Sequence, residues 1–102
     1  MNVIITEFAK KRIKKIYYYY KDRGLSKVGQ KIRIAIVAKA KFLKEQPYMG
    51  TVEPTTENLN KEYRYILSGN HKIIYRVEAP NIYIVEIFDT RQDPNKMKIK
   101  DD

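Results

Sequence analysis

Hydrophobic and polar positions recur with two different periods along this chain, helical in the first half and alternating in the second. The opening NVIIT, residues 2–6, is short and β-branched and predicts a first strand. Thr6 is placed to cap a following helix, with Glu7 in its first turn where a negative charge suits the helix dipole. Ala9, Ile13, Ile16 and Tyr20 then form one apolar stripe, and Gly24 is a natural terminator just beyond about Arg23. Ser26 opens a second helix through Val28, Ile32, Ala35 or Ile36, Lys39 or Ala40, and Leu43, ended by Pro47. The apolar IAIVA at 34–38 predicts that this helix is buried on more than one side. Two helices joined by a short Gly-containing turn make a hairpin.

Residues 47–61, PYMGTVEPTTENLNK, carry the Pro, Gly, Thr and Asn of a loop. After them EYRYIL, HKIIYRV and NIYIVEIFD read as three strands separated by the turns SGN and APN. The order is β-α-α-β-β-β: an α+β fold with a helical hairpin packed on one face of a largely antiparallel four-stranded sheet. The other face is left open. The whole of 1–102 reads as one domain, with a charged tail from about 92 that frays.

Two-residue turns at Gly69-Asn70 and Pro80-Asn81 sort the side chains between faces. The helix face receives Ile66, Ile73, Val77, Ile82, Ile84 and Phe88, with a polar row Arg64–Tyr75–Glu86 crossing three strands. The open face receives Tyr63, Tyr65, Lys72, Ile74, Arg76 and Tyr83, continued by Arg91. A basic, tyrosine-rich surface can stack bases and hold phosphates, and it is also an ordinary composition for a solvated sheet face.

Charge sharpens the choice of partners. Lys plus Arg is 21 against 12 Asp plus Glu, a net charge of +9, which favours nucleic acid, an acidic protein or an anionic surface. The run Lys10, Lys11, Arg12, Lys14, Lys15 reads as a solvated helix face, and in the tyrosine run at 17–20 one or two rings must be exposed. There is no Cys, and the single His71 falls beside a turn, so disulfide, thiolate and His-rich metal chemistry are excluded. No apolar stretch is long enough to span a membrane and no signal peptide is apparent, so the expectation is a cytoplasmic protein without cofactors. No nucleophile–base pair stands out. A metal-free RNA cleavage could draw charge from Arg76, Arg91 and Lys72, but no spacing singles out a general acid or base among Glu62, Asp89, Asp93 and the tyrosines.

The segments ITEFAKKRIKKIYYYY and KFLKEQPYMG, and above all YRYILSGNHKIIYRV running on to IVEIFDTRQDP, give the chain a resemblance to the RelE/ParE superfamily of bacterial type II toxins, the plasmid stabilisation proteins. The resemblance implies the toxin of a toxin–antitoxin pair, neutralised by a small, acidic antitoxin. Arg64 matches the family's second-strand Arg, Lys72 its basic residue opening the third strand, Tyr75 its third-strand Tyr and Arg91 its Arg after the fourth. Together with Arg76 and Tyr65 these are the candidate target- or nucleic-acid-binding residues. Tyr17, Tyr18, Tyr20 and Lys14 on the hairpin are the candidate antitoxin contacts, with an exposed sheet edge beside them. Relatives that cleave mRNA on the ribosome carry a catalytic Tyr or His shortly after the position of Arg91, where this chain reads QDPNKMKIKDD. The ending is similar to that of the ParE-like branch, which poisons DNA gyrase without catalysis. The alternatives are a RelE-like endonuclease acting on ribosome and mRNA, or a non-toxic antitoxin-binding remnant.

Overall fold

A computed structural model describes residues 1–56 and 59–99. The chain runs β1 (Asn2–Ile5), α1 (Glu7–Lys21), α2 (Ser26–Phe42), β2 (Thr51–Val52), β3 (Arg64–Ser68), β4 (His71–Glu78) and β5 (Asn81–Asp89), with short 3-10 turns at Pro54–Thr56 and Pro94–Lys96. The Thr6 hydroxyl accepts a hydrogen bond from the Ala9 N–H at 3.2 Å, capping α1 as predicted. Gly24, at φ +73°, reverses the chain after α1 in the left-handed region glycine favours. The two helices close tightly at Gly29, where an added Cβ would lie 3.0 Å from the Tyr17 carbonyl and 3.1 Å from the Tyr20 Cβ.

The sheet is mixed and five-stranded rather than four-stranded, in the order β1-β5-β4-β3-β2. β1 runs parallel to β5, while β5-β4, β4-β3 and β3-β2 are antiparallel. The added strand is β2, inside the predicted loop. Thr51 and Val52 pair with Tyr65 and Arg64, a span too short to show any period in sequence. α2 ends at Phe42, before Pro47.

The helical hairpin packs on one face, as predicted, burying Ala9, Ile13, Ile36, Ala40 and Leu43 against Ile66, Ile73, Tyr75, Ile82, Ile84 and Ile87. Residues 34–38 are not buried on more than one side. Ile36 is fully buried, but Ile34 is 57% exposed and Ala35 and Ala38 are exposed, because α2 has the sheet and α1 on one side and, among the described residues, nothing on the other.

The β3–β4 pairing is the predicted one, with Arg64 opposite Tyr75 and Leu67 opposite Lys72. The β4–β5 pairing is not. Its turn is Ala79-Pro80, so Glu78 pairs with Asn81 and Tyr75 with Ile84. A bulge then shifts the register between Ile74 and Tyr75, and Glu86 comes to lie opposite Ile74. One extra residue flips all that follow it. Phe88 therefore belongs to the second face, and Ile87 takes its place under the helices.

The second face is not open either. Tyr63, Ile74, Val85 and Phe88 form a small second core there, with Tyr65 and Tyr83 at its margin. The chain beyond β5 folds back instead of fraying through its described part, and lays Met97 and Ile99 on this cluster.

Candidate functional site

The residues singled out by sequence fall into three places. On the second face Lys72 lies over the Tyr65 ring at 4.2 Å and Arg76 over Tyr83 at 4.2 Å, so four of the predicted basic and aromatic residues do share a surface. Both cations are engaged. The Lys72 ammonium is 2.6 Å from the carboxylate of fully buried Glu53, and Arg76 pairs with Glu78. Burial pushes the Glu53 carboxyl up, but hydrogen bonds from Lys72 and from the Thr55 N–H and hydroxyl outweigh it and hold the group below its ordinary range.

Arg64 and Tyr75 form the second place, around Gly50. The Tyr75 ring is completely buried under the helices, and its hydroxyl accepts from the Gly50 N–H at 2.9 Å. Arg64 donates to the Gly50 carbonyl at 2.9 Å, pairs with Glu62 at 3.0 Å and faces the Tyr48 ring at 5.5 Å. The expected Arg64–Tyr75–Glu86 row stops at Tyr75. Glu86 instead receives a two-pronged grip from Arg12 of α1, at 3.0 and 3.2 Å. β1 pairs with β5 only as far as Ile84, which leaves that edge of β5 uncovered at Glu86. The helix side reaches it through Arg12, and the tail reaches it through the Lys98 N–H at 3.4 Å. Arg12 is thus no member of a uniformly solvated basic face.

Arg91 is the third place. It does not continue the basic face of the sheet but turns toward the C-terminal half of α1. Its guanidinium donates to both oxygens of Asp89, at 3.0 and 2.8 Å, and also to the Tyr20 hydroxyl. The same bonds lower the Asp89 carboxyl to about 2 and raise Arg91 above its ordinary value. Arg91 and Asp89 line a cleft of about 280 Å³ shared with Arg12, Lys15, Tyr19 and His71. His71 opens β4 and is buried, and that burial lowers its pKa from 6.5 so that it is neutral at pH 7.

Of the hairpin candidates, Tyr18 is 41% exposed while Tyr17 and Tyr20 are half-buried. Lys14 and Lys21 approach the Tyr18 ring, at 6.0 and 5.3 Å. Sequence reasoning passed over Glu53 and Arg12. Glu53 sits in a segment read as loop, and Arg12 differs from its neighbours only in being the one arginine among lysines, the residue suited to a bidentate carboxylate grip.

Among the described residues no group of three or more His, Asp or Glu side chains is placed to hold a metal ion, and no helix is long and apolar enough to cross a membrane. The arrangement offers charged and aromatic contact surfaces, with each central cation already matched to a carboxylate.

Comparison with known proteins agrees with this architecture. No curated protein sequence matches the chain closely enough to serve as a relative. A solved structure described as the chromosomal ParDE TA system from P. aeruginosa is similar in fold, with a TM-score of 0.71 at 20% identity, covering 85% of this chain and 92% of that one. The family model for the ParE toxin of the type II toxin-antitoxin system, parDE, matches residues 3–94, from β1 through β5 into the start of the tail. The chain belongs to the ParE toxin family of type II toxin–antitoxin systems.

Proposed function

We propose that this protein is a toxin that inhibits DNA gyrase by binding it, without catalysis of its own, and that a cognate acidic antitoxin neutralises it in the cytoplasm. The observation that carries the reading is the ParE-toxin match over residues 3–94. The sequence after Arg91 supports it, since QDPNKMKIKDD has neither the Tyr nor the His that the mRNA-cleaving branch uses there. The charge distribution supports an acidic partner: α1 carries six Lys or Arg with Glu7 as its one acid, and α2 carries five and no acid.

In this reading Arg91, Lys72, Arg76, Arg64 and Tyr65 contact the target, and Tyr75 acts by holding Gly50. Tyr17, Tyr18, Tyr20 and Lys14 contact the antitoxin. Arg91→Ala is the informative variant. Arg91 is exposed and its partner Asp89 is only half-buried, whereas a change at Lys72 leaves the fully buried Glu53 carboxylate without its counter-ion.

The test is induction of the protein alone, following thymidine and amino-acid incorporation together, then a supercoiling assay with purified gyrase. An early fall in thymidine incorporation and inhibited supercoiling, both relieved by Arg91→Ala at unchanged soluble level, is the expected result. A prompt fall in amino-acid incorporation with DNA synthesis intact would overturn it in favour of mRNA cleavage. No fall in either would leave a non-toxic antitoxin-binding protein.

A further inference from the structure

The cleft between the C-terminal half of α1 and the end of β5 holds a side chain that neither the fold nor the toxin reading uses. His71 lines it and is only 5% exposed, yet among the described residues its ring makes no hydrogen bond. Buried polar side chains nearly always have a partner. Burial keeps this imidazole neutral at pH 7, so one ring nitrogen donates and the other accepts.

Around His71 the cleft is apolar in its depth and positive at its mouth. Ile16, Ile87 and the Tyr19 ring line it, and Arg23 lies over Tyr19 at 3.6 Å. The cations are not equivalent. Arg12 is matched to Glu86 and Arg91 to Asp89, whereas Lys15 is exposed and, among the described residues, has no carboxylate in reach. The grip on Glu86 occupies only Nε and Nη2 of Arg12, which leaves Nη1 to donate elsewhere.

These features select a ligand. The volume of about 280 Å³ is at the lower edge of the roughly 300–1,000 Å³ that small-molecule sites span. Inorganic phosphate would answer Lys15 and leave the apolar wall wet. A neutral aromatic ring would cover that wall and leave Lys15 unmatched. A planar base carrying a phosphate monoester, with a charge of about −1.5 to −2 at pH 7, satisfies both. Bases are held by stacking on aromatic and apolar side chains and by hydrogen bonds along their edges.

We propose that this cleft is a binding site for a free mononucleotide. The base lies against Ile16, Ile87 and Tyr19 and is hydrogen-bonded by His71, and the phosphate sits on Lys15 and Arg12 Nη1.

Binding to the full chain is followed by backbone amide shifts and isothermal titration. The probes are the 5′-monophosphates of adenosine, guanosine, cytidine and uridine, the four nucleosides, inorganic phosphate and benzoate. The expected result is saturable binding of at least one mononucleotide, with shifts gathered on residues 15–20, His71 and 87–92. Its affinity should exceed that of its nucleoside and of phosphate by about tenfold or more. Lys15→Met should bring the mononucleotide down to its nucleoside's affinity and leave the nucleoside unchanged, while His71→Leu should weaken both. Lys15 is exposed, so its variant keeps the test open if the buried His71 does not tolerate leucine. No saturable shift in the cleft with any mononucleotide at millimolar concentration would overturn the proposal and leave His71 to water. Phosphate as tight as the nucleotide, with shifts spread over the lysines of both helices, would overturn it as attraction through net charge. Benzoate as tight would overturn it in favour of aromatic anions at large, and a tetranucleotide bound more tightly at the same residues in favour of a strand. All of this is read on the purified chain, so its outcome is independent of the gyrase reading.

Discussion

Arg12 joins α1 to β5 through the one fully buried carboxylate of the bulge, and removing its charge tests how the helical hairpin is held. In Arg12→Met the apolar stem is kept while both guanidinium bonds to Glu86 are lost. Glu86 is completely buried and keeps two backbone donors, the N–H of Ile87 at 2.9 Å and that of Lys98 at 3.4 Å. Breaking a buried pair by removing one partner costs about 3–5 kcal/mol. Two features reduce that figure here. The Arg12 side chain is 27% exposed, so water can reach the vacated position, and the two backbone donors remain. A loss of about 3 kcal/mol follows, of which roughly 0.5–1 kcal/mol is the contact of Arg12 with the Phe8 ring at 5.2 Å. The remaining ~2 kcal/mol belongs to the pair.

Urea unfolding of wild type, Arg12→Met, Glu86→Gln and the double variant separates these contributions in a double-mutant cycle. The double variant should be more stable than Arg12→Met, because an amide does not leave an unpaired charge in the sheet. A coupling energy of about 2 kcal/mol is expected, and one below about 0.5 kcal/mol would refute the argument that this pair anchors α1 to the bulge.

Two further outcomes follow from the same geometry. Tyr75→Phe removes the acceptor of the buried Gly50 N–H and should cost about 1–3 kcal/mol in chemical denaturation, with protection of the Gly50 amide against hydrogen exchange lost first. Stability should also fall with acidification in two separable steps. His71 is held below its ordinary 6.5 by burial, so its contribution is lost as pH drops below that value. Asp89, lowered by Arg91 from 3.8 to about 2, contributes stability that is lost between those two values. Melting curves across pH should show the first step flattened in His71→Gln and the second in Asp89→Asn.

The local signals in this sequence determined a good deal. Thr6 as a cap, Gly24 as a terminator, the stripe Ala9–Ile13–Ile16 and the Gly69-Asn70 turn each depend on interactions within a few residues, and each lies where the pattern put it. The family resemblance was legible for a related reason, since the order of Arg64, Lys72, Tyr75 and Arg91 along the strands is a property of the chain itself. What those residues touch was decided by tertiary structure. The bulge beside Glu86 reversed the faces of Ile87 and Phe88, because the two-residue period of a strand carries no memory across an inserted residue. The same bulge, where β1 has already ended, put Glu86 within reach of Arg12 rather than Arg64. A two-residue edge strand is held by pairing to β3 and has no period to read. The tail took its place because an apolar patch formed by Tyr63 beside β3, Ile74 of β4 and Val85 and Phe88 of β5 exists only once the three strands are assembled. The exposed half of α2 was misread for the converse reason. An apolar run records only that its side chains seek burial, and among the described residues Ile34, Ala38 and Phe42 stay exposed.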